Sequence, residues 1–161
     1  EHRINLLPPR NHGWSYQTFG AISDNSGVPE AYLNVGKPFV PGDGAELHAN
    51  YRGTAIGDLG QHDRVNADVS ARLDYGQSSK TLSLNIHNAT RSSLNVTSNN
   101  ATRDARLDFS DTLNWNGNTG RFESGTGNAR LYGGGEELGG QFSRAVGNEA
   151  YRGAYGAKKV Q

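Results

Sequence analysis

One stretch in the middle of the chain alternates strictly between apolar and polar side chains. Across residues 65–75 every odd position is Val, Ala, Leu or Tyr, and every even position is Asn, Asp, Ser or Arg. Because successive side chains of a strand point to opposite faces, this period predicts a strand with one face in a core and one in water. Residues 81–88 repeat the pattern after a short polar connection, which predicts an antiparallel hairpin.

Strand patterns of this kind continue to the end of the chain. Helix patterns are almost absent, because Gly, Asn and Ser interrupt every window long enough for three turns. Eight antiparallel strands would suit a small all-β, up-and-down barrel, since closure leaves no long edge strand exposed. We predict strands at 45–57, 65–75, 80–88, 92–97, 104–115, 121–132, 136–146 and 150–160.

The predicted barrel core consists of the residues that alternation turns inward. They are Leu47, Ala49, Tyr51, the odd residues of 65–75, Leu82, Leu84, Ile86, Leu107, Phe109, Ala129, Leu131, Leu138, Phe142 and Tyr155.

The first 44 residues differ from the rest in composition, since they hold all five Pro. Residues 14–22 and 31–35 flank a polar turn and predict a short hairpin. We therefore interpret 1–44 as an N-terminal β appendage with a connector, and 45–161 as the barrel domain. A two-stranded hairpin is not stable alone in water, so we expect it to pack on the barrel or on a segment outside this chain.

Charge and cysteine content exclude several classes of function. Sixteen basic residues balance sixteen acidic ones, so no overall field would hold a polyanion, and we expect no nucleic-acid partner. The absence of Cys excludes disulfides, thiolate catalysis and Cys-bound metal. Apolar stretches fall far short of the roughly 20 residues of a membrane span. With no signal peptide visible, the chain is a mature product, a trimmed product or a fragment.

The C-terminal third carries a recognisable pattern. Residues 131–142 read Leu-Tyr-Gly-Gly-Gly-Glu-Glu-Leu-Gly-Gly-Gln-Phe, and 155–159 read Tyr-Gly-Ala-Lys-Lys. Together with Tyr-Arg-Gly at 51–53 and Asp-Tyr-Gly at 74–76, they resemble the β-barrel domain of the transferrin-binding protein B superfamily. This superfamily includes factor H-binding protein, heparin-binding antigen and the secreted hemophilin-type haem carriers.

The resemblance implies a non-enzymatic protein, secreted by or displayed on a Gram-negative bacterium, that binds a host nutrient carrier, a host regulator or haem. Its surface-bound relatives are lipoproteins held by an N-terminal Cys, and this chain has none. If residue 1 lies close to the mature terminus, the hemophilin-like haem carriers are the relatives closest in type. That inference fails if an anchored half has been removed.

Haem binding would require His, and no two of the five His have the spacing of a local metal motif. A site would therefore have to be assembled by the fold where appendage meets barrel. His12, His48 and His62 are the candidate iron ligands, although each could equally be a structural or solvent-facing residue. Trp14, Tyr16 and Tyr51 could lie against the porphyrin, and Arg52 could bind a propionate. We expect His2 and His87 to face solvent.

Catalytic patterns are weak. There is no Gly-x-Ser-x-Gly element, and Glu136 and Glu137 would point to opposite faces of a strand. We therefore predict a secreted haem carrier that delivers haem to an outer-membrane receptor. The alternative is the C-terminal barrel of a surface receptor for a host protein such as transferrin, haemoglobin or a complement regulator. A third possibility is a barrel with a structural or export role.

Overall fold

The computed structural model describes residues 14–94 and 100–160, together with the backbone of 3–6. These residues form thirteen strands and two three-residue 3-10 turns, at Ala105–Leu107 and Gly133–Gly135. The strands are β1 (Arg3–Leu6), β2 (Gln17–Ser23), β3 (Pro29–Gly36), β4 (Pro38–Phe39), β5 (Leu47–Leu59), β6 (Asp63–Tyr75), β7 (Lys80–Ser93), β8 (Thr102–Arg103), β9 (Phe109–Asn116), β10 (Arg121–Glu123), β11 (Gly127–Tyr132), β12 (Glu137–Val146) and β13 (Glu149–Val160). The described residues include no helix long enough and apolar enough to span a membrane.

Eight of these strands close into an antiparallel barrel, as the sequence predicts. Neighbouring strands follow the order β10, β9, β7, β6, β5, β13, β12 and β11. The ring closes where β10 pairs with β11, with Phe122 opposite Ala129. The short β8 lies off this path and pairs with β7.

The eight barrel strands do not coincide in every case with the eight predicted strands. The segment 92–97 is not a separate strand where it is described, because β7 continues to Ser93. Asn88 adopts a left-handed φ of 56°, and the β6–β7 pairing shifts register nearby, so the strand bulges there instead of ending. Residues 95–97 lie outside the described residues.

The predicted strand 121–132 divides into β10 and β11. A tight turn separates them, closed by the Ser124 amide, which donates to the Gly127 carbonyl at 2.9 Å. The Ser124 and Thr126 hydroxyls both donate to the Asp111 carboxylate, at 2.6 and 2.9 Å. The break in this segment therefore supplies the eighth strand.

The predicted barrel core is confirmed. Its members lie in one cluster, with Leu47 and Ala49 half-buried at its edge and the other predicted residues buried. Aromatic rings close one part of the interior, where the Phe142 centroid lies 5.2 Å from that of Phe109 and 4.9 Å from that of Tyr151. The lumen is thus filled by side chains, as expected for a barrel of this size.

The N-terminal strands form a separate three-stranded sheet in the order β1, β2, β3. The predicted hairpin is present as β2 and β3, and β1 adds a third strand through pairs such as Leu6 opposite Gly20. This N-terminal sheet packs on the outer face of the barrel, chiefly against β12 and β13. The connector that follows it reaches the barrel through β4, where Phe39 pairs with Leu131 of β11.

Candidate functional site

Hydrogen bonds fasten the start of the N-terminal sheet to β12. The Glu137 carboxylate is 1% exposed and accepts the backbone amides of Ser15 at 2.7 Å and Tyr16 at 3.1 Å. The amide of the Gln17 side chain donates to the Leu138 carbonyl at 2.6 Å. These hydrogen bonds replace the ones that the same polar groups lose with water when the sheet covers this face of the barrel.

Two glycines on the outer face of the barrel allow this close approach. A Cβ built on Gly139 would lie 2.1 Å from the Gln17 Oε1 atom and 2.5 Å from the Asn34 Nδ2 atom. A Cβ on Gly156 would lie 2.7 Å from the Phe19 ring. The Gly-Gly and Tyr-Gly-Ala elements noted in the sequence therefore accommodate the N-terminal sheet on the outer face of the barrel.

A buried carboxylate lies at the other end of the same contact. Asp58 of β5 has no exposed surface and accepts a hydrogen bond from the Tyr32 hydroxyl at 2.7 Å. The backbone amide of Gln61 donates to the Asp58 carboxylate at 2.8 Å, and the Arg152 guanidinium lies 3.5 Å from it. Burial is the main cause that raises the pKa of Tyr32, and the hydrogen bond to Asp58 is the second. Tyr32 therefore remains a hydrogen-bond donor at neutral pH.

Sequence reasoning did not identify Asp58. It occupies an outward position of its strand, where alternation predicts contact with water. The only signal was its place beside the predicted hairpin turn. It is buried because the N-terminal sheet covers this part of the barrel.

Trp14 belongs to a small apolar cluster within the same contact. Its ring centroid lies 5.7 Å from that of Phe19, and both rings pack with Ala154. Trp14 is only 7% exposed, so its ring is held between sheet and barrel and does not present a flat surface to a ligand. Trp14 and Phe19 are thus part of a small apolar core of the N-terminal sheet.

His48 lies near one end of β5, on the outer face. Its Nδ1 atom is 3.0 Å from the Asp74 carboxylate, and its Nε2 atom is 3.0 Å from the Glu46 carboxylate. The hydrogen bond to Asp74, followed by that to Glu46, raises the pKa of His48. Both ring nitrogens are thus engaged by carboxylates, and a metal would have to displace one of them.

His62 lies in the loop that joins β5 to β6, at the opposite end of the barrel. Its Nε2 atom contacts the Glu149 carboxylate, and its Nδ1 atom lies 3.2 Å from Asp63. The hydrogen bond to Glu149, followed by that to Asp63, raises the pKa of His62. With a rise of about 3.3 Å per residue along β5, His48 and His62 are on the order of 35 Å apart, so one iron ion cannot bind both.

The other predicted site residues are also dispersed. Tyr51 points into the barrel, is 1% exposed, and donates its hydroxyl to the Gly135 carbonyl at 2.6 Å. Burial raises the pKa of Tyr51 to about 12. Arg52 is exposed on the outer face of β5, and Tyr16 is 41% exposed. His12 lies outside the described residues.

The structure therefore does not bring the predicted haem ligands together where it describes them. Within the described ranges there is no group of three or more His, Asp and Glu side chains that could hold a metal ion. The three aromatic site residues, Trp14, Tyr16 and Tyr51, occupy three different environments.

A cavity of about 300 Å³ lies between the N-terminal sheet and the barrel. None of the described residues that line it is a histidine. We call it the junction cavity. It is lined by Ala21, Ser23, Gly27, Pro29, Tyr32, Ile56, Gly57, Arg64, Asn66 and Leu94.

A second surface feature lies beside the connector. Exposed apolar side chains occur here at Tyr16, Val35 and Val40, which are 41%, 44% and 56% exposed. The Lys37 amide donates to the Tyr16 carbonyl at 2.9 Å, which holds the connector against the start of β2. We call Tyr16, Val35, Lys37 and Val40 the connector surface. Tyr is enriched at protein interfaces relative to the rest of the protein surface.

Solved structures with a similar fold include transferrin-binding proteins B. An intact Ap-TbpB, with N and C lobes, matches with a TM-score of 0.54 and 15% identity over 98% of this chain. A transferrin-binding protein B of isotype 1 from serogroup B Neisseria meningitidis matches with a TM-score of 0.45 and 16% identity, over 98% of this chain and 35% of its own. This chain spans 38% of the Ap-TbpB chain.

The match to Ap-TbpB supports the fold that the sequence motifs implied, a barrel of the transferrin-binding protein B type. At this level of identity it shows the fold alone. No protein-family model matches the chain, and no curated protein sequence does so either. The closeness to hemophilin-like carriers stays a prediction.

Proposed function

We propose that this chain is a lobe of a surface receptor of a Gram-negative bacterium, which binds a host protein without catalysis. The observation that carries the proposal is the match of sheet and barrel together to Ap-TbpB, over 98% of the chain. Candidate partners are those of the predicted alternative: transferrin, haemoglobin or a complement regulator. The shared fold raises the prior for such a role, and the surface chemistry has to supply the rest.

Two properties of the molecule favour a macromolecular partner. Core side chains fill the barrel lumen, which leaves its outer surface for binding. The connector surface, by contrast, presents an aromatic ring and two valines to solvent. Tyr is among the residues that most often dominate the binding energy of protein interfaces.

The haem carrier is the second candidate function, and its support is weaker. Each of His48 and His62 is paired with two carboxylates, and they lie at opposite ends of β5. The junction cavity lies where the haem was expected, and the part of its lining that the structure describes contains no His. Its volume is at the lower limit of about 300 Å³ for small-molecule sites, which is small for a porphyrin.

The proposal is tested by surface plasmon resonance with the immobilised chain and purified transferrin, haemoglobin and complement factor H. We expect saturable binding of one of them. Tyr16→Ala should weaken it at least tenfold, since truncation of a central interface aromatic costs more than about 1.4 kcal/mol. Val160→Ser is the matched control, because Val160 is 38% exposed but lies at the end of β13, outside the connector surface. Absence of binding to all three proteins by the folded chain would argue against the proposal.

A further inference from the structure

The junction cavity has the size of a small-molecule site and is half-enclosed by two parts of the fold. The N-terminal sheet contributes Ala21 and Tyr32, and the outer faces of β5 and β6 contribute Ile56 and Arg64. At about 300 Å³ it lies at the lower end of the range of roughly 300 to 1,000 Å³ in which ligand pockets fall. A compact ligand fits it better than a large ring system.

Most of the wall is apolar. Pro29 is buried, and the rings and branched chains of Tyr32, Ile56 and Leu94 provide hydrocarbon surface around the space. Contact with such a wall favours a ligand whose body is aliphatic or aromatic, because water leaves both surfaces on binding.

The charges at the cavity are unequal. Asp58 is not among the lining residues, and it already has the Tyr32 hydroxyl, the backbone amide of Gln61 and the Arg152 guanidinium as partners. Arg64, which is exposed and lines the cavity, has no ion pair within the described residues. Among the described residues that line the cavity, Arg64 is therefore the only one with a charge.

We propose that the junction cavity binds a small amphipathic anion, with a hydrocarbon body against the apolar wall and a single carboxylate at Arg64. Arg is well suited to this contact, since its planar guanidinium can donate two parallel hydrogen bonds to one carboxylate. Asn66, which also lines the cavity, offers an amide donor beside it. This site is separate from the connector surface and does not depend on a protein partner.

The test is isothermal titration calorimetry with the full chain, using decanoate and decylamine at pH 7 as probes of equal length and opposite charge. We expect saturable binding of decanoate and at least tenfold weaker binding of decylamine. Arg64→Gln should weaken the binding of decanoate at least tenfold. Arg52→Gln is the matched control, because Arg52 is also an exposed Arg on the outer face, forms no ion pair in the described part of the chain, and does not line the cavity.

A second measurement locates the bound probe. In amide NMR spectra decanoate should shift the resonances of Ala21, Ile56 and Asn66, and Ala21→Phe, which fills the cavity, should abolish these shifts. Arg64→Gln removes only an exposed charge, so it tests the proposal even if Ala21→Phe does not fold. Equal binding of the two amphiphiles, an equal effect of the two Arg variants, or shifts confined to other parts of the chain would overturn the proposal.

Discussion

Phe19 of the N-terminal sheet packs directly against the backbone of Gly156 in the last barrel strand. A Cβ at Gly156 would lie 2.7 Å from the nearest ring carbon, closer than van der Waals contact allows. The Phe19 side chain is fully buried as a result. Because Gly156 has no side chain, the Phe19 ring can pack directly on the barrel.

Gly156→Ala should therefore destabilise the protein without affecting the barrel core. We expect a loss of about 1–3 kcal/mol in the free energy of unfolding, since the added methyl group forces Phe19 to shift. Urea unfolding followed by Trp fluorescence measures it. Gly44→Ala is the control, because a Cβ there meets nothing within 4 Å. A Gly156→Ala variant as stable as Gly44→Ala would contradict this account of the contact.

Glu137→Ala should release the start of the N-terminal sheet from the barrel. The variant leaves two backbone amides, those of Ser15 and Tyr16, without their acceptor, and a loss of about 1–3 kcal/mol is expected. Amide hydrogen exchange at these two residues should increase together with the fall in the urea midpoint. The adjacent Glu136 is exposed and lies in the turn before β12, so Glu136→Ala should leave both measurements unchanged.

His62 should make stability depend on pH. Its pKa is raised by hydrogen bonds to Glu149 and then Asp63. A His whose pKa is higher in the folded state stabilises the fold below its unfolded pKa, and this contribution disappears as pH rises through the folded value. Because the pair is half exposed, the contribution should be less than about 1 kcal/mol.

The urea midpoint of His62→Gln should therefore fall below that of the native sequence at pH 5.5 and approach it at pH 8.5. Glu149→Gln should reduce the same pH-dependent difference, because it removes the first partner of the ring. A difference between the native sequence and His62→Gln that grows with rising pH would have the wrong sign for this mechanism.

Hemin should not produce a sharp, saturable Soret band with this chain, if the receptor-lobe proposal holds. The described candidate ligands His48 and His62 are engaged by carboxylates at opposite ends of the barrel. Absorbance titration with hemin measures the band directly. A saturable band that disappears in one of His12→Ala, His48→Ala or His62→Ala would instead favour the haem carrier.

The barrel could be predicted from the sequence because its signal is local. Alternation over residues 65–75 determines which side chains face inward, and every one of these is buried. Strand ends were harder to predict. At Asn88 the pattern loses its alternation, yet the chain continues as a strand because a bulge absorbs the extra residue. Alternation alone does not distinguish a bulge from an end.

The sites could not be predicted in the same way, since they depend on contacts between distant parts of the chain. His48 and His62 are fourteen positions apart in the sequence, and the extended backbone between them carries them to opposite ends of the barrel. Tyr51 satisfied both the core pattern and the search for an aromatic at a haem site. Its inward direction along β5 decided between the two.

The sequence by itself determined the class of fold and the inward face of each long strand, because a period of two is a property of neighbouring residues. Only the tertiary structure decided which outward residues lose contact with water. Asp58 and Gly156 both occupy outward positions of barrel strands, and both are covered by residues more than twenty positions away in the chain, from the N-terminal sheet. That burial arises when the sheet docks on the barrel, and no local pattern encodes it.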